Sequence, residues 1–172
     1  MAFVFNIQDF RRWQTATVRI IRKMIIEKND FPMRCAVGYV NRVRSDIDRQ
    51  TYSGYYAPYN DRYAKWKQKH FPESEGFWHL RGFLKGNLRP FKVREGWFGG
   101  ISGDIIVPGS SWFGDGFSGR PVSLALYGYW GEYGRTGQPP RPLFNPALEE
   151  FKRNEWQDEI TTTMRKIREA WI

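Results

Sequence analysis

Residues 127–151 read YGYWGEYGRTGQPPRPLFNPALEEF. Just before and within this stretch, Val122, Leu126, Tyr129 or Trp130, and Tyr133 recur at helical spacing. This predicts a helix over 121–133 with Pro121 at its first position. Gly134 and the polar RTGQ run end it. In PPRPLF the prolines fix φ and push each preceding residue to extended geometry, so the segment is stiff and extended. Asn145 then stands as the cap of a long helix, with Pro146 at its first position and Glu149 and Glu150 near its positive end. The apolar face of that helix comprises Ala147, Phe151, Ile160, Met164, Ile167 and Trp171. Glu132 lies among aromatics upstream of Arg141. A Glu–Arg pair there would tie the helix end to the extended strand or bridge two subunits.

Upstream, residues 9–28 predict an amphipathic helix with Asp9 as N-cap. Its apolar face is Phe10, Trp13, Thr17, Ile20, Ile21 and Met24; Arg11, Arg12, Arg19, Arg22 and Lys23 occupy much of the rest. Asn29, Asp30 and Pro32 are expected to stop it. Ala36, Val40, Val43 and Ile47 give a second helical face, although Val37, Tyr39 and Val40 also permit a strand. A tyrosine-rich turn covers 51–60 and a short basic helix 60–70; a loop, FPESEG, follows. In the basic helix Tyr63 and Trp66 face a core, and Lys65, Lys67 and Lys69 face water. Leu80, Leu84 and Leu88 then suit a helix broken at Pro90, with a strand from Phe91 to Glu95. Residues 96–120 hold eight of the chain's 17 glycines, so Trp97–Phe98 and Asp104–Val107 read as short strands across Gly-rich turns. Trp97, Phe98, Trp112, Phe113 and Phe117 either pack in a hairpin or form a loop that docks on a neighbour.

The 172 residues, 41% hydrophobic and 17% aromatic, suit a single domain over 1–172 with a real core. Its parts are a helical 9–50, strands and a Gly-rich loop over 91–120, and 121–172. The fold class is α+β: a small antiparallel or mixed sheet against N-terminal and long C-terminal helices. Net charge is +9, unevenly spread. Residues 1–95 carry 19 Lys/Arg against 9 Asp/Glu; residues 96–172 carry 8 against 9. Basic surface attracts nucleic acid or an acidic partner; it is also compatible with a plain solvated face. One cysteine, Cys35, excludes an internal disulfide and a multi-cysteine zinc site, and suits a small core residue. No signal-peptide pattern or membrane-length apolar run is present, so synthesis in the cytoplasm is expected.

No arrangement of reactive groups stands out, so no enzyme, cofactor or metal is expected. His70 and His79 sit in different settings. Gly99–Gly103 lacks the helix and lysine of a phosphate loop, and Gly116–Gly119 is not a serine elbow. Asp46/Asp48 and Glu73/Glu75 read as surface charge rather than the acid–base pair of a cell-wall hydrolase. The interleaved YAKWKQKHF offers either stacking faces beside phosphate-binding charge or an ordinary helix.

The stretch 127–151 resembles the phage tail-completion or head–tail joining family and the related virion-morphogenesis proteins. Tyr127, Trp130, Glu132, Tyr133 and Gly134 match its aromatic–Glu–aromatic–Gly helix end. Pro139, Pro140, Arg141, Pro142 and Phe144 match its Pro-Ala-Arg-Pro-Phe run, and Pro146, Ala147 and Leu148 its helix opening. Gly128 and Pro140 stand where alanine is usual. A second match is Tyr63 and Lys67 followed by Leu80–Leu88. The resemblance implies a structural virion protein of a phage neck, synthesised in the host cytoplasm. It implies a ring, sixfold by family expectation, around the DNA channel, between connector or portal-side proteins and the tail tube or terminator. Genomic DNA would meet basic residues in passing. The basic N-terminal helices and the Gly-rich loop are the expected contact surfaces.

Overall fold

The computed structural model describes residues 7–70, 83–94, 96–107, 122–134 and 139–171. The loop expected at 71–76, the turn at 135–138, and Leu80, Trp112, Phe113, Phe117 and Pro121 lie outside them. The fold is α+β and mostly helical. In chain order come α1 (Ile7–Arg49), a single 3₁₀ turn (Ser53–Tyr55), α2 (Asp61–His70), α3 (Phe83–Asn87), β1 (Leu88–Val93) and β2 (Gly96–Ile101). After them come β3 (Ile106–Val107), β4 (Val122–Ser123), α4 (Leu124–Tyr133), α5 (Phe144–Arg153) and α6 (Glu155–Glu169).

The expected break at Asn29–Pro32 is absent. Instead α1 runs unbroken for 43 residues with Pro32 inside it, a rod about 65 Å long. An interior proline forfeits one helical hydrogen bond and costs about 3 kcal/mol. Contacts on both sides of it offset that loss. Phe31 packs edge-on to Trp156 with centroids 5.6 Å apart, and Arg34, two residues on, is held by α6.

The C-terminal half of α1 supplies the core. Ala36, Val40, Val43 and Ile47 are all buried, as their spacing predicts, and Cys35 is buried beside them. Val40, Val43 and Ile47 cluster with Leu84, Leu88, Leu124, Leu143 and Ala147. Burying such side chains contributes about 1.5–3 kcal/mol each, before the entropy of ordering them is subtracted.

The strands form two antiparallel pairs, β1 with β2 and β3 with β4. In the first, Leu88 faces Ile101 and Val93 faces Gly96. Pro90 sits inside β1 opposite Gly99, where it was expected only to break a helix. A two-stranded ladder leaves one edge of each strand open, and a proline directed there loses no ladder bond. On the other strand, Gly99 lets the hairpin lie directly on α1. A Cβ at Gly99 would stand 2.7 Å from the Ala36 carbonyl oxygen and 2.8 Å from the Tyr39 ring.

Three expected details at the C-terminal end are corrected. The helix over 121–133 begins at Leu124, because Val122 and Ser123 pair with β3. Its buried residues are Leu124, Gly128, Gly131 and Glu132, while Leu126, Tyr129 and Tyr133 are exposed. The long helix after Pro142 is two helices, separated at Asn154 (φ −108°, ψ −79°). Arg42 spans the break, meeting Glu150 at 2.6 Å on one side and Glu155 at 3.3 Å on the other.

Candidate assembly interface

The described residues of the block 127–151 tie four parts of the chain together. α4 ends at Gly134, whose φ of 78° closes the helix in a conformation glycine adopts without a Cβ penalty. Two residues earlier, Glu132 is buried. Its carboxylate accepts the backbone N–H groups of Leu143 at 2.7 Å, Phe144 at 2.9 Å and Asn145 at 2.8 Å. These are donors at the start of α5 that no earlier carbonyl can satisfy, and a negative charge there also suits the helix dipole. Asn145 is therefore not the cap. The N-cap position falls at Leu143, with no side-chain cap of its own, and Glu132 supplies the acceptor from another helix.

Arg141 takes a different partner from the one expected. Its backbone N–H reaches the Gly131 carbonyl at 2.7 Å. Its guanidinium donates to the Ala57 carbonyl at 3.1 Å and lies over the Tyr59 ring, 4.5 Å from the centroid. Tyr56 donates to the Pro142 carbonyl, and Tyr39 to the Phe144 carbonyl at 3.0 Å. Glu132 and Arg141 thus do bind helix end, extended segment and following helix together, but mainly through backbone groups. Pro146 and Phe144 are half-buried within this tie.

Lys67 is a residue that the spacing of α2 misplaces. It was expected in water, yet it is 7% exposed, with its ammonium 5.1 Å from the Tyr59 centroid. Tyr59 therefore has a cation near its ring from both Lys67 and Arg141. Burial, aided by the Arg141 charge, pushes the Lys67 ammonium down to about 8. Burial likewise raises the Tyr59 hydroxyl above its ordinary value. The signal available in the sequence was the Tyr63–Lys67 spacing of the upstream resemblance, not the charge pattern.

Asp46 is buried rather than at the surface. It accepts hydroxyls from Thr51 at 3.0 Å and Tyr52 at 3.3 Å, fastening the end of α1. Asp48 is held by Lys85 at 2.6 and 2.7 Å. Among the described residues no group of three His, Cys, Asp or Glu side chains is placed to hold a metal ion. Among the same residues, no helix is long and apolar enough to cross a membrane.

What the tie leaves outside is a set of exposed apolar and basic groups. Tyr129 and Tyr133 pack on each other at the surface, centroids 4.8 Å apart. Tyr127 and Trp130 of the same helix are half-buried. Phe98 is exposed on β2, stacked on Phe91 at 6.3 Å, and Trp97 is half-buried. Arg11, Arg12, Arg19 and Arg22 are exposed on α1, whereas Lys23 is half-buried and pairs with Glu27 at 3.2 Å. The expected apolar face of α1 is not covered: Phe10, Trp13, Ile21 and Met24 are exposed. Ile160 and Met164 on α6, and Trp171 just past its end, point outward too, although their spacing suggested a core face.

The reason is that α1 and α6 meet through polar groups. Arg34 donates to Glu27 at 2.9 Å, Glu159 at 2.9 Å and Thr163 at 2.7 Å. Burial alone would push the Glu27 carboxyl up. The hydrogen bonds from Arg34 and Lys23 outweigh it and hold Glu27 below the usual carboxylate range. No protein-family description matches the chain, and neither a curated protein nor a solved structure is detectably similar to it.

Proposed function

We propose that the chain is a structural subunit of a tailed-phage neck, a tail-completion or head–tail connector protein that assembles into a ring around the DNA channel. The observation that carries this reading is the block 127–151. Its resemblance to the joining family covers a contiguous unit, and Glu132 and Arg141 of that unit are the residues that lock three segments together. A subunit that docks repeatedly gains from such rigidity, because little order remains to be imposed on binding. The exposed aromatic groups Tyr129, Tyr133 and Phe98 and the uncovered α1 and α6 stripes are surfaces of the kind that subunit contacts use.

Peptide mass spectrometry of purified particles tests the reading. The chain is expected in tailed particles at a few copies per virion. Its absence from them would sink the proposal.

The exposed arginines of α1 favour a second reading, a DNA-binding protein. Steeply salt-dependent DNA binding by the isolated monomer supports that reading. In the neck reading the arginines meet the genome only within the ring.

A further inference from the structure

We propose that the outer edge of β2 accepts a strand from a neighbouring copy, and that this strand is residues 2–6, AFVFN, which precede α1. The proposal rests on the reading of the chain as a ring subunit. In an antiparallel pair, opposed residues alternate between those that bond each other and those whose N–H and C=O point away. Pro90 has no N–H to give, and the Leu88 carbonyl accepts a hydrogen bond from Arg44. Leu88 and Pro90 therefore point away from β2, and their opposites Ile101 and Gly99 point away from β1. Trp97, opposite Lys92, follows the same alternation.

The two outer edges differ. That of β1 is blunted: Pro90 lacks a donor, Arg44 occupies the Leu88 carbonyl, and Lys92 is exposed beside them. Prolines and lysines keep an edge from pairing further. β2, GWFGGI, holds no proline and no charge. Its three glycines let a second backbone come close. Among the described residues no group bonds the outward N–H and C=O of Trp97, Gly99 and Ile101. The edge is a template for one more strand, recognised through its backbone.

The segment 2–6 suits that template. Phe3, Val4 and Phe5 favour extended pairing. The segment carries no charge and no proline, and its length matches the span from Trp97 to Ile101. Its own β2 is out of reach. Gly99 lies on Ala36, and Ile7 is about 43 Å from Ala36 along α1. Residues 2–6 fully extended span about 18 Å, and β2 itself reaches only about 10 Å from Gly99. The turns 7–18 project past the end of α6, whose Glu169 and Ala170 lie level with Arg19 to Ile26. They hold the segment out where a neighbour's hairpin can meet it. Such a contact is head-to-tail: each copy gives a strand to one neighbour and accepts one from the other. Contacts of that kind close into rings.

Light scattering and amide hydrogen exchange of the full-length chain test this, beside a chain lacking residues 2–6 and the double variant Val4→Pro, Phe5→Pro. Adjacent prolines remove a donor on each side of the segment. Both changes precede α1, so the circular dichroism spectrum should hold. The native chain is expected to self-associate, with slowed exchange at residues 97–101. Each variant should weaken association by about tenfold or more and restore fast exchange there. In a Cys35→Ala background, chains carrying Phe5→Cys and chains carrying Phe98→Cys are expected to cross-link with a short bis-maleimide when mixed. A native chain that stays monomeric overturns the proposal. So does an assembly that neither variant weakens, or one in which residues 97–101 exchange as fast as in the variants; those results leave the ring reading standing. Failure of the ring reading itself shows separately, as absence of the chain from particles.

Discussion

Glu132 accepts the backbone N–H of Asn145 at 2.8 Å, so a carboxylate on one helix closes the start of the next. With the bonds to Leu143 and Phe144, it satisfies three donors in a buried setting. Glu132→Ala should lower stability by about 3 kcal/mol, since buried donors lose a charged acceptor. Glu132→Gln keeps one acceptor oxygen and should lose about half as much. Urea denaturation measures both. An alanine variant within ~0.5 kcal/mol of the native chain contradicts this role.

Gly99 is the point where the hairpin touches α1. Gly99→Ala puts its Cβ against the Ala36 carbonyl, a backbone atom that cannot swing away. A loss of about 2 kcal/mol or more is expected. Gly103→Ala is the control, because nothing stands within 4 Å of its Cβ position. A thermal melt of each decides, and equal melting temperatures would contradict the close approach. Gly128→Ala lies between them: its Cβ meets the far end of Ile101 at 3.1 Å, a flexible side chain. The alanine usual in the family resemblance should therefore be accepted at small cost.

Alkaline pH should first stabilise the fold and then destabilise it. Lys67 has a folded value of about 8 against an ordinary 10.5. Between these the unfolded chain binds more protons, so stability rises with pH, by about 2 kcal/mol. Burial holds the hydroxyls of Tyr39, Tyr52 and Tyr59 above their ordinary 10.0. Beyond that pH the folded state binds more protons and stability falls. Urea midpoints across the range should peak near pH ~10. Lys67→Met should flatten the rise; an unchanged rise in that variant would assign it elsewhere.

Arg34 joins two helices through Glu27 and Glu159. Arg34→Met leaves Glu27, with a side chain 3% exposed, supported by Lys23. A loss of about 3 kcal/mol is expected, partly recovered by adding Glu27→Gln. The depressed Glu27 value also fixes a sign. Its contribution is complete above the ordinary carboxylate pKa and is lost as pH falls through the lower folded value. A double-mutant cycle with coupling under ~0.3 kcal/mol would contradict the pairing.

The residues that set the core were legible because helical periodicity coincides with burial at Ala36, Val40, Val43 and Ile47. The same periodicity misled at Phe10, Trp13, Met164 and Trp171, where an apolar face exists but none of the described residues covers it. Local signals marked Pro32 and Asn145 as a stop and a cap. Both were overridden by side chains distant in sequence, Trp156 packed on Phe31 and Glu132 on the α5 start. Lys67 was misplaced because charge pattern says nothing about a ring such as Tyr59 arriving from another segment. The expected Glu132–Arg141 pair gives way to contacts of each side chain with backbone groups, which carry no sequence signal.

The proposed place of this chain is in a ring where tail meets head. Electron cryo-microscopy of intact particles, with the chain built into density, tests it most directly. The expected result is a ring of copies of this chain at the head–tail junction. Density at that junction fully explained by other chains, with this one absent from the particle, would contradict it.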